Sequence, residues 1–389
     1  RDSRNFQRLP IHGGAGFVGA VLAICDGPAV HRIADADVAD DAVADLADNT
    51  GVGFAVRQSN AGDADATLAQ IGRLAALGCD IVRCAVPNAA VMDAFARICA
   101  ESPLPVVADI HFDHELAIAA MAAGAHGIRV NPGNMKNEDK VRCVAREAAR
   151  RGCAVRIGVN GGSLAPEVRR RLGNGPEAFV ASAKHYVELF ASEGCEALKV
   201  SLKSSDVRTT VSACRLFAGQ SDLPQHLGVT EAGPMSTGLV KSAMGIGALL
   251  LDGIGDTIRV SLTAPPEAEI TAAKRILEAA GLRIAAPEII ACPTCGRTSI
   301  DLLPLVTAVE EAIIAIQADG YDINLRKVAI MGCEVNGPGE ARDADIGIAG
   351  NMGQGILFKK GEKVRTLPAD QLLDALIAEI KAAAVRRTP

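Results

Sequence analysis

Residues 105–131 read PVVADIHFDHELAIAAMAAGAHGIRVN, and their pattern decides the fold. A β-branched run (105–110) leads into a stretch dense in Ala, Leu, Ile and Met. Gly124 closes that stretch, and a second β-branched run follows at 127–131. A short apolar run bounded by turn residues suits a buried strand, the Ala/Leu stretch suits a helix, and glycine is the residue that stops one. The same unit recurs in both directions along the chain. Candidate strands fall at 54–59, 80–86, 105–110, 127–131, 154–160, 197–203, 226–231 and 257–262, each followed by a helical pattern. The pattern over 65–77 carries Ala66, Ala69, Ile71, Leu74 and Leu77 and stops at Gly78; 237–251 and 266–280 behave alike. Strands alternating with helices imply parallel pairing, and eight such units predict an α/β fold of the (β/α)8 TIM-barrel type.

Beyond residue 285 the rhythm breaks at Pro287 and at Cys292-Pro293-Thr294-Cys295-Gly296. A helix (302–317), a strand (327–331), a Gly/Pro-rich loop, a strand (345–350), a strand pair across Gly355 and Gly361, and a helix (369–384) are expected there. The chain therefore divides into an atypical N-terminal segment (1–52), a barrel (53–284) and a small α+β domain (285–389).

The composition narrows the function classes. Of 389 residues 49% are hydrophobic and 22% charged, which excludes intrinsic disorder as the main state. A net charge of −6, no Trp, two Tyr and nine Phe argue against a nucleic-acid binder. No apolar run is long enough to cross a membrane. The basic start (Arg1, Arg4, Arg8) before 11–25 imitates a secretory signal, but His12 and glycines interrupt it and no small-residue cleavage site follows, so a cytoplasmic location is expected. Cys25, Cys79, Cys84, Cys99, Cys143, Cys153, Cys195 and Cys214 lie mostly in apolar stretches and read as buried free thiols in a reducing compartment. Residues 14–19, GAGFVG, match a dinucleotide fingerprint, but no good strand precedes them and about 40 residues are too few for a nucleotide domain.

The candidate barrel strands carry an unusual load. Arg83, Arg129, Arg156, Lys203 and Arg259 lie on five of them, and Asp109 and Glu231 on two others. Barrel active sites form at the C-terminal strand ends. Two carboxylates cannot neutralise five converging cations, and a desolvated unpaired charge costs several kcal/mol. A multiply charged anion, a phosphate or diphosphate ester, resolves the imbalance, and the arginine fork suits it. The loops Asn131-Pro132-Gly133-Asn134 and Asn160-Gly161-Gly162-Ser163 offer further backbone N–H groups. In Asp109-Ile110-His111-Phe112-Asp113, His111 reads equally well as a proton donor or ligand and as a structural residue beside a helix-capping Asp113.

Cys292, Cys295 and Cys333 form a separate group. Zinc would want a fourth Cys or His, and a thioredoxin-like dithiol would leave Cys333 idle. Three thiolates with one incomplete corner suit a [4Fe–4S] cluster whose fourth iron is open or held by oxygen, and Glu340 could supply that oxygen.

These motifs together resemble the 4-hydroxy-3-methylbut-2-en-1-yl diphosphate synthase (IspG or GcpE) family, in its bacterial two-domain type, over about residues 63–389. The resemblance rests on GCDIVRCAVP (78–87), VADIHFD (107–113), IRVNPGN (128–134), RIGVNGGSL (156–164), SLKSSDV (201–207), HLGVTEAG (226–233), GIGDTIRVSLT (253–263), CPTCGR (292–297) and MGCEVNGPGE (331–340). It implies a homodimer in which the cluster domain of one subunit closes over the partner's barrel. The implied reaction is the reductive ring opening of 2-C-methyl-D-erythritol 2,4-cyclodiphosphate, with electrons from flavodoxin or ferredoxin. Carried onto this chain, it implies cluster ligation by Cys292, Cys295, Cys333 and Glu340. It further implies diphosphate binding by Arg83, Arg129, Arg156, Lys203 and Arg259 with help from Asn160 and Ser261, proton transfer by Glu231, and Asn336 beside cluster and substrate. The family's Val-Gln-Ser-Met-Thr is here Val56-Arg57-Gln58-Ser59-Asn60, and residues 1–52 match no family segment. Two other readings remain: a non-redox phosphate-binding barrel with structural zinc, and a non-catalytic iron–sulfur sensor or electron carrier.

Overall fold

The computed structural model describes residues 18–23, 52–53, 63–110, 113–135, 137–283, 286–293, 295–333, 341–351 and 353–386. The chain divides between Arg283 and Ile284 into two compact units.

The first unit contains strands β1 (Val18–Ala23), β2 (Val52–Gly53), β3 (Ile81–Ala85), β4 (Val106–Ile110), β5 (Gly127–Val130), β6 (Ala154–Asn160), β7 (Leu198–Lys203), β8 (His226–Leu227) and β9 (Thr257–Ile258). Its helices are α1 (Ala64–Ala76), α2 (Met92–Glu101), α3 (His114–Ala122), α4 (Glu138–Arg151), α5 (Pro166–Leu172), α6 (Pro176–Ser192), α7 (Val207–Ala218), α8 (Met235–Leu251) and α9 (Pro266–Ala279). Strands β3 to β7 pair in order, all parallel, and so do β8 and β9. A bridge between Val200 and Gln225 joins β7 to β8. The expected first strand at 54–59 lies outside the described residues. The space between β3 and β9 is taken by β1, antiparallel to both, with the short β2 beside it parallel to β9. An antiparallel strand satisfies the open edges as well as a parallel one does.

Alternation along each strand sorts the side chains. Val82, Cys84, Ala108, Ile110, Ile128, Val130, Val155 and Ile157 are buried and belong to the core shared with the helices. The residues between them, Arg83, Asp109, Arg129 and Arg156, fall on the opposite, lumen face. Helix starts are fixed by side-chain caps. Asp63 accepts from Ala66 N–H at 2.9 Å, Asn137 from Asp139 N–H at 2.7 Å and Asp206 from Thr209 N–H at 2.6 Å. Asp113 likewise caps α3, accepting from Glu115 N–H at 2.9 Å, the role expected in its structural reading; His111 lies outside the described residues. Strands β8 and β9 are shorter than the runs 226–231 and 257–262. At Gly228 the backbone turns to φ +153°, and a Cβ there would sit 2.5 Å from Arg259 O.

Cys79, Cys84, Cys99, Cys153, Cys195 and Cys214 are buried and Cys143 is half-buried, none of them in a disulfide; Cys25 lies outside the described residues. Among the described residues no helix is long and apolar enough to cross a membrane.

The second unit is a five-stranded sheet, β10 (Glu288–Ala291), β12 (Lys327–Met331), β13 (Ile346–Asn351), β14 (Gln354–Lys359) and β15 (Glu362–Pro368), in that order. A small ribbon pairs β11 (Tyr321–Ile323) with β16 (Ala384–Arg386). The pairs β10–β12 and β12–β13 are parallel; β13–β14 and β14–β15 are antiparallel. Helices α10 (Leu302–Ala318) and α11 (Leu372–Ala382) bury Val309, Ile313, Leu376 and Ile380 against Val328, Ile330, Ile346, Ile348 and Leu357 of the sheet. Ala329, Met331, Ala349, Ile356 and Phe358 form a second apolar cluster, drawn from the alternate strand positions and joined by Ala341 and Ala344.

Candidate active site

The barrel lumen is charged. Register sets Asp109 beside Arg129 and Arg129 beside Arg156 in one row, with Asn160 beside Lys203 further along. Asp109 is the hub: its Oδ1 accepts from Arg129 NH1 at 2.9 Å and its Oδ2 faces Arg83 Nε at 3.3 Å. All three side chains are about nine-tenths buried. Arg156 and Lys203 are each 8% exposed. Lys203 Nζ donates to Leu227 O at 3.0 Å. Gly158 leaves room for this packing, since a Cβ there would lie 3.0 Å from Arg129 Nε.

The electrostatics record the crowding. Burial first, then the neighbouring cations, holds Arg156 and Lys203 well below their ordinary values. Burial also lowers Arg83, against the pull of Asp109, and brings Arg259 down to about 9. Arg259 Nε is buried with no hydrogen-bond partner among the described residues. The five cations anticipated from sequence therefore do converge. Such a chamber can accommodate an anion, because a multiply charged ligand would supply the missing counter-charge.

The remaining expected binding residues take varied positions. Asn160 turns its Oδ1 into its own loop, accepting from Gly162 N–H and Ser163 Oγ, both at 3.0 Å. Ser261 is half-buried two residues beyond Arg259. Glu231 is exposed and has φ +53°, a left-handed backbone that a non-glycine residue adopts at a cost. Among the described residues it makes no ion pair with the lumen cations.

Three residues in or against the lumen, Glu269, His226 and Lys199, were not among the expected site residues. Glu269 on α9, 1% exposed, accepts from Leu262 N–H at 2.5 Å, and burial raises it to about 7 against the pull of Arg259. The Ala/Ile pattern of its helix marks that position as core and hides the charge. His226 begins β8, and its Nδ1 meets Thr257 Oγ1 at 2.8 Å. With Arg83, Arg156 and Lys199 it lines a cavity of about 30 Å³ toward the N-terminal strand ends, room for about two waters.

His226 is 1% exposed, and burial, aided by Arg156 and Lys203, pushes its imidazole well below the usual range. The folded chain keeps it neutral while the unfolded chain protonates it near pH 6.5. Its contribution to stability is therefore present above pH 6.5 and is lost as the pH falls toward the folded value. Asn in place of His226 is expected to remove up to about 1.4 kcal/mol per pH unit of acid sensitivity below pH 6.5. Thermal melts of both proteins from pH 7 to 5 check this; parallel pH profiles would contradict it.

In the second unit the thiols gather at one sheet end. Ala291 pairs with Ile330, so Cys292 and Cys333 both leave the C-terminal ends of adjacent parallel strands. Gly332 N–H donates to Cys292 Sγ at 3.2 Å. Ser299 N–H donates to Gly332 O at 2.9 Å and brings the Cys295 turn over the same end. A Cβ on Gly332 would lie 2.8 Å from Thr298 Cγ2, so this approach requires glycine. The exposed Cys295 thiol is lowered by the Arg297 backbone N–H and then the Thr298 hydroxyl. Amide donors aimed at sulfur and a lowered thiol fit a site that holds soft metal through thiolate. Among the described residues no three Cys, His, Asp or Glu side chains stand close enough to hold one ion. Asn336 and Glu340 lie outside the described residues.

A barrel with a cationic lumen, followed by a unit with three thiols on one sheet end, defines a two-domain enzyme. Residues 54–274 match the family model described as GcpE TIM-barrel domain, and 288–382 match that of the GcpE protein C-terminal domain. The chain belongs to the GcpE family. It is 49% identical over 320 residues to the 4-hydroxy-3-methylbut-2-en-1-yl diphosphate synthase (flavodoxin) of Geobacter sulfurreducens, covering 82% of this chain and 89% of that one. To the enzyme of the same name from Clostridium tetani it is 48% identical, covering 82% and 90%. Among solved structures, a Yersinia pestis dihydropteroate synthase aligns over 56% of this chain and 89% of its own, at 12% identity and a TM-score of 0.40.

Proposed function

We propose that the chain catalyses the reductive ring opening and dehydration of 2-C-methyl-D-erythritol 2,4-cyclodiphosphate to 4-hydroxy-3-methylbut-2-enyl diphosphate, in non-mevalonate isoprenoid biosynthesis. The observation that carries this reading is the lumen, in which five largely buried cations crowd around the hub carboxylate Asp109, with Glu269 behind Arg259, within a barrel of this family. The diphosphate binds there, and its charge offsets the mutual repulsion of Arg83, Arg129, Arg156, Lys203 and Arg259. Asp109 holds two of those guanidiniums in fixed orientation. Asn160 Nδ2 and Ser261 add neutral donors. Glu231, at the rim, supplies a proton as the hydroxyl leaves as water.

Cys292, Cys295 and Cys333 would hold a [4Fe–4S] cluster, with Glu340 as an oxygen ligand and Asn336 beside it. When bound, the cluster supplies low-potential electrons and a Lewis-acidic iron. A flavodoxin delivers the electrons. The working unit is a homodimer in the cytoplasm, and the exposed Val240 and Met244, one turn apart on α8, supply an apolar stripe for self-association.

Purification without oxygen, with counts of iron, sulfide and zinc and an assay with the cyclodiphosphate and reduced flavodoxin, tests the reading. About four irons and four sulfides per chain with turnover are expected. Zinc without sulfide would overturn it. Gln in place of Glu231 is expected to leave substrate affinity within about threefold and to lower kcat about a hundredfold or more. Unchanged kcat in single-turnover kinetics would remove Glu231 from the proton path.

A further inference from the structure

A buried carboxylate sits behind the site, on helix α9. Glu269 reaches back from the first turn of α9, and its Oε1 accepts the N–H of Leu262 at 2.5 Å. Leu262 is three residues beyond Arg259 and one beyond Ser261, so this bond pins the segment that carries both. The same segment is tied to the neighbouring loop, the one that follows β8. Thr263 N–H donates to Gly233 O at 3.0 Å. Leu262 lies over α8 where only glycine fits, since a Cβ on Gly238 would be 2.6 Å from Leu262 Cδ2 and 2.8 Å from Gly233 O. Gly233 is two residues from Glu231, whose backbone is left-handed. A strained conformation persists only where its surroundings over-determine it, and this chain of contacts is such a restraint.

We propose that Glu269 is the positioning residue of the rim: its hydrogen bond to Leu262 fixes the segment 259–263 and, through Thr263 and Gly233, holds Glu231 where it acts. Glu269 touches no substrate. Its second oxygen, Oε2, and Arg259 Nε are both buried and unpartnered among the described residues. The carboxylate therefore also places part of a negative charge behind Arg259 at neutral pH, without closing an ion pair that would withdraw the guanidinium from the anion. The two duties separate chemically. Glutamine keeps an acceptor for Leu262 N–H and removes the charge; alanine removes both.

The proposal rests on the reaction proposed above, so its test needs a readout independent of that reaction. Amide hydrogen exchange at Leu262 and Thr263 supplies one, inorganic diphosphate affinity by calorimetry a second, and steady-state kinetics with the cyclodiphosphate a third. Glu269→Ala is expected to speed exchange at Leu262 and Thr263 at least tenfold and to lower kcat ten- to a hundredfold. Glu269→Gln is expected to keep both within about threefold of the parent. Diphosphate affinity should be no weaker in the Gln variant than in the parent, because only negative charge beside the cations is lost, and weaker in the Ala variant than in the Gln variant, because alanine also frees the segment that carries Arg259 and Ser261. A Gln variant that is folded and as slow as the Ala variant would overturn the proposal, as would an Ala variant with unchanged kcat. Should the parent fail to turn over the cyclodiphosphate, the proposed reaction falls while exchange at Leu262 still decides the role of Glu269.

Discussion

Serine at position 292 will strip the second unit of iron and sulfide and lower turnover at least about a thousandfold, some 4 kcal/mol of barrier, while the affinity of the barrel for inorganic diphosphate stays within about twofold. The reason lies in the environment of the sulfur. Cys292 leaves the end of β10 with its Sγ already accepting the Gly332 amide from the neighbouring strand end. A metal-bound sulfur there would keep this donor at no further reorganisation cost. A serine hydroxyl is harder, shorter and protonated at neutral pH, so it replaces neither the charge nor the softness that iron–sulfur ligation requires. The fold has no need of the thiol, since Cys292 is only partly buried at the edge of the second apolar cluster. Loss of metal with retained diphosphate binding is therefore the expected pair of results. Full iron and sulfide content in the Cys292→Ser protein would remove this residue from the ligand set. Loss of diphosphate binding as well would show the substitution to act by unfolding the chain.

What the sequence reveals and what it hides follow from one physical difference. A strand buried on both faces must alternate apolar residues toward the helices with whatever the lumen needs, so an arginine flanked by β-branched or small residues announces both the strand and its direction. This is why β6, with Arg156 between Val155 and Ile157, has the bounds its pattern suggests. The lumen cations are legible for the same reason. Strands β8 and β9 end early because at Gly228 the two chains approach to a distance set by backbone contact, which no hydropathy pattern encodes. The ribbon of β11 and β16 escapes notice because its residues are largely exposed and three residues long on each side. Glu269 escapes because the apolar pattern of its helix assigns the position to the core, and no pattern shows what a carboxylate placed there meets. Glu231 is visible as a residue but not as a geometry: its positive φ comes from the rim contacts and not from its own preference.

Methionine at position 156 should make the ligand-free protein more stable and nearly abolish its function. Arg156 is 8% exposed, with Arg83, Arg129 and Arg259 as cationic neighbours, and Asp109 is already engaged by two of them. Without an anion the site stores the cost of a desolvated and uncompensated charge, and replacing such a group by an apolar side chain of similar length commonly stabilises by about 1–4 kcal/mol. For a chain of this size each kcal/mol raises the melting temperature by about 2–4 °C. The same substitution removes a guanidinium from the diphosphate, and a charge-assisted contact in a buried site is worth at least about 2–3 kcal/mol, or a factor near one hundred in affinity. Differential scanning calorimetry with and without inorganic diphosphate reads both effects at once. The parent should gain a large diphosphate-dependent shift, by mass action on the folded state. The Arg156→Met protein should start higher and shift little. A variant that melts lower than the parent without ligand would mean that Arg156 is satisfied by the protein itself, and the lumen would then be a structural network instead of a seat for an anion.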